Sequence, residues 1–455
     1  MTGQWSNALP LSAIFALPGL CLLAEMSGTA VYVAFAFAVL ALFLFVRGSI
    51  ARFQKITLVG IFGVLAALHC CFGYLLAVPT TYILPQLGDI TRYYPISFLV
   101  IAAGALAAAM GYRFALASPT PRIERWCAAF SVDERKLLLF ARLLIIAGTA
   151  LMIYMFATIG YLPILSAAPG QARYITPAIT DAFLRDEWFI SRATDLLFIS
   201  LILTFSSAWW RHNKLDRFVT LMGCLAILLP LKRAPLITVV TVVVLMQILR
   251  TGKIKKSYIA VFCLLAIIYG FTQLAFFHIF SEDTDSHDVI ASVGSAFPEV
   301  RDLGWILSLN KSPWYGVTFV QAMLPVPSLL SDFSVRYSLR EISSDLIGFE
   351  QRESGGLRLT LAGESYLNFG YAGVTVICFL FGLLTAYLDV AIQLMRRRKD
   401  LAGLFITTLT FAWLCFWIYL AGTQAAATVK VGILISATIL FLSRNRPPAI
   451  EQLPS

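Results

Sequence analysis

Two stretches of the chain place reactive side chains where an apolar sequence has little room for them. In Leu228-Leu229-Pro230-Leu231-Lys232-Arg233-Ala234-Pro235, two adjacent cations stand between two prolines inside an otherwise apolar run, 218 to 250. Paired ammonium and guanidinium groups offer converging N–H donors and charge, which is the chemistry that holds phosphates. The second stretch runs from Arg352 through Glu353-Ser354-Gly355-Gly356-Leu357-Arg358 to Glu364-Ser365-Tyr366-Leu367-Asn368-Phe369-Gly370. A carboxylate there can take a proton, and the phenol and amide can hydrogen-bond a polar substrate. Glu364 and Asn368 are four apart and share one face of a helix, with Tyr366 and Gly370 to its sides.

Each stretch also has a plainer reading. Lys232 and Arg233 can sit at a hairpin tip and snorkel to lipid phosphates. Glu364 can simply favour a helix N-terminus, and Tyr366 can belong to an interfacial aromatic belt. Weaker candidates surround these. The acidic run from Ser281 to Asp288 contains His287, but it lacks the spacing of a calcium loop and reads as a solvated segment. Asp181, Arg185, Asp186 and Glu187 read as surface residues. Lys430 either snorkels or adds positive field, and His69 and His278 read as hydrogen-bonded interior histidines. No CxxC or HxxxH spacing occurs, so no metal site is expected.

The elements that must position these residues follow from composition. Of 455 residues, 59% are hydrophobic and 13% charged, too little polar surface to coat a water-soluble globule of this size. Apolar runs recur from Leu9 to Leu442, which predicts one integral-membrane domain over 1–455, with its first apolar run retained as a helix. The net charge of +10 resides in short clusters at Arg47 to Lys55, Arg122 to Lys136, Arg211 to Arg217, Arg250 to Lys256, Arg396 to Lys399 and Arg444 to Arg446. Clusters spaced by pairs of apolar runs orient helices against a membrane, and they argue against a nucleic-acid partner. Room for two spans lies between successive clusters, and two more precede Arg47. The expectation is an all-α polytopic protein of about twelve transmembrane helices, with both termini cytoplasmic. The eight cysteines fall in expected spans or an inner loop, so no disulfide framework is expected.

Three outer segments exceed turns: 78–95, 160–188 and 280–363. The last lies between the ninth and tenth spans and is partly helical by pattern, since Val300, Leu303, Ile306 and Leu307 recur at helical spacing and predict an amphipathic surface helix. Residues 313–330 are too short and proline-interrupted to span, while Trp314 and Tyr315 suit the headgroup level. As a hairpin, the limb 218–231 is only about 21 Å long against a hydrocarbon core of about 30 Å, so Lys232 and Arg233 should lie below the outer surface.

The basic break midway, the long late outer loop and the closing GGLRLTLAGESYLNFGYAG together resemble the bacterial oligosaccharide repeat-unit polymerases, the Wzy-type enzymes of O-antigen, capsule and exopolysaccharide assembly. The spacing of Arg352 and Gly363 is similar to an arginine–glycine pattern described in outer loops of that family. The resemblance implies a GT-C-like helical fold in the bacterial inner membrane, working at the periplasmic face without metal or cofactor. Its substrates would be undecaprenyl-diphosphate-linked oligosaccharides, with membrane lipids, a chain-length regulator and a flippase as expected partners. It implies Lys232, Arg233, Arg352 and Arg358 on the diphosphate, Glu364 as base with His287 or Asp345 behind it, and Tyr366 and Asn368 on sugar. An O-antigen ligase, transferring glycan to lipid A core, is the nearest rival; such ligases use a histidine late in the outer loop, and His287 stands at its start. From a different class, a twelve-helix transporter or flippase of lipid-linked oligosaccharide fits the span count equally well, but leaves the long outer segment without a role.

Overall fold

The computed structural model describes residues 92–117, 133–162, 177–206, 214–230, 299–309, 315–319 and 359–398, with scattered helical positions between 239 and 260. All regular structure among the described residues is helical: α1 (Tyr93–Ala117), α2 (Glu134–Ile159), α3 (Pro177–Ser206), α4 (Lys214–Leu228), α5 (Glu299–Ser308) and α6 (Leu361–Arg398). Three of these, α1, α2 and α6, are long and apolar enough to cross a membrane. Their exposed faces confirm the solvent. Val376, Leu380, Leu384 and Tyr387 of α6 form an exposed apolar stripe, as do Leu139, Leu143, Ile146 and Ile153 of α2. Water would require charge along those faces, whereas lipid favours them. The chain is an α-helical membrane protein.

The described elements fall into two compact units, with α2, α3 and α4 in one and α1, α5, residues 315–319 and α6 through Val390 in the other. In the α2–α3–α4 unit, α2 starts at an Asp133 cap whose carboxylate accepts from Arg135 N at 2.9 Å, satisfying a donor that the first turn leaves open. Gly148 of α2 lies against Ala193 and Leu197 of α3, and Gly223 of α4 against Ile145 and Leu201. Together with the Arg142–Asp216 pair, these contacts set α3 antiparallel to α2 and α4 parallel to it. Arg142 of α2 ties to Asp216 of α4 at 2.7 Å, and Arg192 pairs with Asp195 within α3 at 2.9 Å. Both aspartates are buried, where a charged group is costly unless it is paired. The helix α3 begins at Pro177, inside the stretch expected as an outer loop. Proline suits a first helical position, and a helix continues through polar residues such as exposed Asp181 wherever they meet water. Helix α4 ends at Leu228, and Leu229 N turns back to Ala226 O at 3.2 Å, as the chain approaches Pro230, which disfavours helical backbone just before it.

In the other unit, α1 is buried around most of its circumference. It meets α6 backbone to backbone. A methyl on Gly111 would lie 1.9 Å from Phe379 O, and one on Gly382 would lie 1.9 Å from Ala108 O. Close approach of this kind supplies the dispersion and weak polar contact that hold helices together in lipid, where the hydrophobic effect between them vanishes. Further along, the Tyr112 hydroxyl donates to the buried Asp389 carboxylate. The pairing advances from Ala108 with Gly382 to Tyr112 with Asp389, so α1 and this part of α6 run parallel.

Helix α5 forms where the apolar spacing of 300–307 predicts it, but it is not a surface helix. Besides Val300, Leu303, Ile306 and Leu307, it buries Glu299, Asp302, Gly304 and Trp305. Gly304 lies against Tyr94 and Ser97 of α1, and Arg301 both pairs with Asp302 at 2.8 Å and covers the Trp305 ring. Neutralising the carboxylate and hiding the indole lets the polar face enter the interior, which no periodicity of apolar residues reveals.

The packing of α1 on α6 is testable at one methyl. Gly382→Ala has only backbone to push against, and it is expected to cost about 3 kcal/mol or more. Thermal unfolding of the detergent-purified variant should show a clearly lowered midpoint, while Val376→Ala on the exposed stripe should match the parent chain.

Candidate active site

The stretch expected to lead straight from the outer loop into a span does something else. Ala362 and Cys378 would stand about 24 Å apart in an unbroken helix. Yet a methyl on Gly104 of α1 would lie 2.7 Å from Ala362 Cβ and 3.1 Å from Cys378 Sγ, so the two residues are neighbours. Helix α6 doubles back on itself. The reversal is at Gly370, with φ 63° and ψ −156°, a conformation open essentially to glycine alone. Residues 361–369 form one limb and 371–398 the other. The second limb, about 42 Å long, is the one that suffices to cross a membrane. The first begins beside the middle of α1 and carries Glu364, Ser365, Tyr366 and Asn368.

Local sequence explains the limb. Thr360 caps it, its Oγ1 accepting from Gly363 N at 3.2 Å, and Glu364 N closes the first turn on Thr360 O at 2.9 Å. The limb ends at Gly370, whose backbone takes the Asn368 carbonyl out of the α-helical ladder. That carbonyl accepts instead from Tyr315 N at 2.9 Å, which fixes the turn 315–319 against the limb. Tyr315 holds φ 49° and Gly316 φ 84°. A methyl on Gly316 would meet the Phe369 ring at 2.8 Å, and Phe369 stacks on Phe319.

This anchoring delivers Thr318 to the buried carboxylate. Thr318 Oγ1 donates to Glu364 Oε1 at 2.7 Å. Asn368 Nδ2 donates to Thr318 Oγ1 at 2.6 Å and to the Glu364 carbonyl at 2.8 Å. Glu364, Asn368, Thr318 and Ser365 are all fully buried. The Thr318 proton is thereby directed: its oxygen receives an N–H from Asn368, so its own hydrogen goes to Glu364. Glu364 Oε1 acts as an acceptor in this arrangement. Asn368 Oδ1 is buried without a hydrogen-bond partner, an acceptor available for a hydroxyl.

Of the residues singled out in the sequence, Glu364 and Asn368 share one network, as their spacing predicts. Tyr366 lies beside it on the same limb and packs edge-on against Tyr371 across the reversal. His287, Lys232, Arg233, Arg352, Arg358 and Asp345 lie outside the described residues. Sequence reading missed Thr318. The residue stands 46 positions before Glu364 in a segment read as interfacial, and no local pattern links the two. It also missed the buried carboxylates Asp195, Asp216, Glu299, Asp302 and Asp389, which their positions among apolar residues could have flagged. Comparison with family models, with curated proteins and with solved structures finds no match to this chain.

The reversal is the part of the site most exposed to a single substitution. A methyl on Gly370 meets nothing within 4 Å, so Gly370→Ala probes backbone strain alone. Its expected cost is about 1–3 kcal/mol, read as a lowered thermal midpoint in detergent. Gly373→Ala, blocked instead by Ser365 O at 2.5 Å, should be lowered by sterics as well.

Proposed function

We propose that the chain is a membrane glycosyltransferase that polymerises oligosaccharide repeats carried on undecaprenyl diphosphate, with Glu364 as general base. The observation that carries this reading is the Glu364 carboxylate, set in a membrane-embedded limb and oriented by Thr318 and Asn368. A buried ionisable group within a membrane span marks a candidate functional site, and its burial must be offset by hydrogen bonds. The resemblance of 355–373 to the repeat-unit polymerases covers this same limb.

In the proposed step, an acceptor-sugar hydroxyl gives its proton to Glu364 while its oxygen bonds to the anomeric carbon of the growing glycan. The anomeric C–O bond breaks, and its electron pair leaves with undecaprenyl diphosphate. Lys232, Arg233, Arg352 and Arg358 are proposed to hold the departing diphosphate, because converging cations stabilise that charge as it develops. Tyr366 is proposed to contact sugar. Glu364 is out of contact with solvent, so substrate reaches it only as the surrounding chain opens, and a water-poor site protects the glycosyl donor from hydrolysis. The same proposal includes about twelve spans in a GT-C-like fold, with the basic segments cytoplasmic and the site facing the periplasm of the inner membrane.

One observation favours a second reading. A helical hairpin bearing a buried carboxylate inside the membrane is also how carriers build substrate sites, so a transporter of lipid-linked oligosaccharide is the alternative.

Surface-glycan length in a strain lacking the gene separates them. Under the polymerase reading, the deletion leaves single repeats on lipid A core. Complementation with Glu364→Gln, which keeps the acceptor for Thr318 and so the fold, fails to restore long chains at equal expression. If no repeat reaches the surface, transport or ligation replaces polymerisation; if the Gln variant restores long chains, Glu364 is not the base.

A further inference from the structure

We infer that Thr318 is the positioning residue for the Glu364 base, and that Asn368 acts through Thr318 rather than by donating to sugar. The inference rests on the polymerase reading and assigns to that site a residue 46 positions upstream.

Proton bookkeeping carries the argument. A threonine hydroxyl has one hydrogen to give. Asn368 Nδ2 approaches Thr318 Oγ1 at 2.6 Å as a donor, so the Thr318 hydrogen points to Glu364 Oε1, 2.7 Å away. The reverse arrangement, with a protonated Glu364 donating to Thr318, would leave the threonine hydrogen without a partner in a fully buried site. The network therefore sets Glu364 Oε1 as an acceptor and holds the side chain in one rotamer. Both Asn368 amide hydrogens are engaged, one on Thr318 of the turn and one on the Glu364 carbonyl of the limb. Flipping the amide would set its oxygen against that carbonyl oxygen, so the orientation is fixed.

The rest of the turn is built to deliver this one hydroxyl. Tyr315 N anchors on the Asn368 carbonyl that the reversal at Gly370 sets free. Gly316 lies under the Phe369 ring, where a methyl would stand 2.8 Å from its tip, and Tyr315 adopts positive φ, a conformation that costs energy in a non-glycine residue. The positive φ of Tyr315 and the glycine after it turn the chain so that Thr318 is fully buried against Glu364.

Turnover of the purified full-length chain in lipid nanodiscs, supplied with lipid-linked repeats, provides the test. Thr318→Val keeps shape and removes the donor, and is expected to lower kcat on the order of 10- to 100-fold with KM for the acceptor changed less than about threefold. Thr318→Ser restores the hydroxyl, and with it kcat to within about threefold of the parent. Parental kcat in Thr318→Val, or an equal loss in Thr318→Ser, overturns the inference. A rise in KM with kcat preserved also overturns it, since that marks a substrate contact. Should Thr318→Val fail to accumulate, Thr318→Ala against Thr318→Ser makes the same comparison. Full activity in Glu364→Gln measured alongside would instead remove the base itself, so the two failures are distinguishable.

Discussion

The reversal of α6 at Gly370 is the constraint on which the site depends. Without it, residues 361–369 would extend away from the second limb, and Ala362 could not reach the level of Gly104. With it, one continuous stretch provides both a membrane-crossing limb and a shorter limb that holds Glu364 beside α1. The reversal also determines where the turn 315–319 can dock. A helix that breaks inside an apolar medium leaves backbone groups that must find partners, and the freed Asn368 carbonyl finds the Tyr315 amide. The backbone defect and the side-chain network are one arrangement, since the residue whose carbonyl anchors the turn is the residue whose amide orients Thr318.

The reversal is held in turn by contacts in which side chains are nearly absent. Gly111 and Gly382 let α1 and α6 meet through their backbones, and the Tyr112–Asp389 bond closes the same interface. Polar groups in lipid thus have two roles here. Tyr112–Asp389 and Arg142–Asp216 join helices, whereas the Thr318 and Asn368 bonds to Glu364 join a turn to the short limb.

How much of this was legible in the sequence depended on the length scale of each interaction. Apolar runs marked α1 and α2 to within a few residues, because crossing a membrane imposes its own length. The prolines around Lys232 marked the end of α4, and the four-residue spacing of Glu364 and Asn368 placed them on one face. The reversal was not legible. A glycine in an apolar run has no local signature that separates a packing site such as Gly382 from a hinge such as Gly370. Thr318 escaped because its role is defined by a partner far along the chain, and α5 escaped as a buried helix because the Arg301 contacts with Asp302 and the Trp305 ring exist only in three dimensions.

The central claim is that this chain itself joins lipid-linked repeats. Its most direct measurement is the product distribution formed when the purified chain in nanodiscs receives only an undecaprenyl-diphosphate-linked repeat, with no metal, nucleotide sugar or lipid A core. The account predicts a ladder of lipid-linked oligomers, with one undecaprenyl diphosphate released for each linkage formed. Repeats left unjoined under those conditions, and consumed only once lipid A core is supplied or only by translocation across a bilayer, would contradict it.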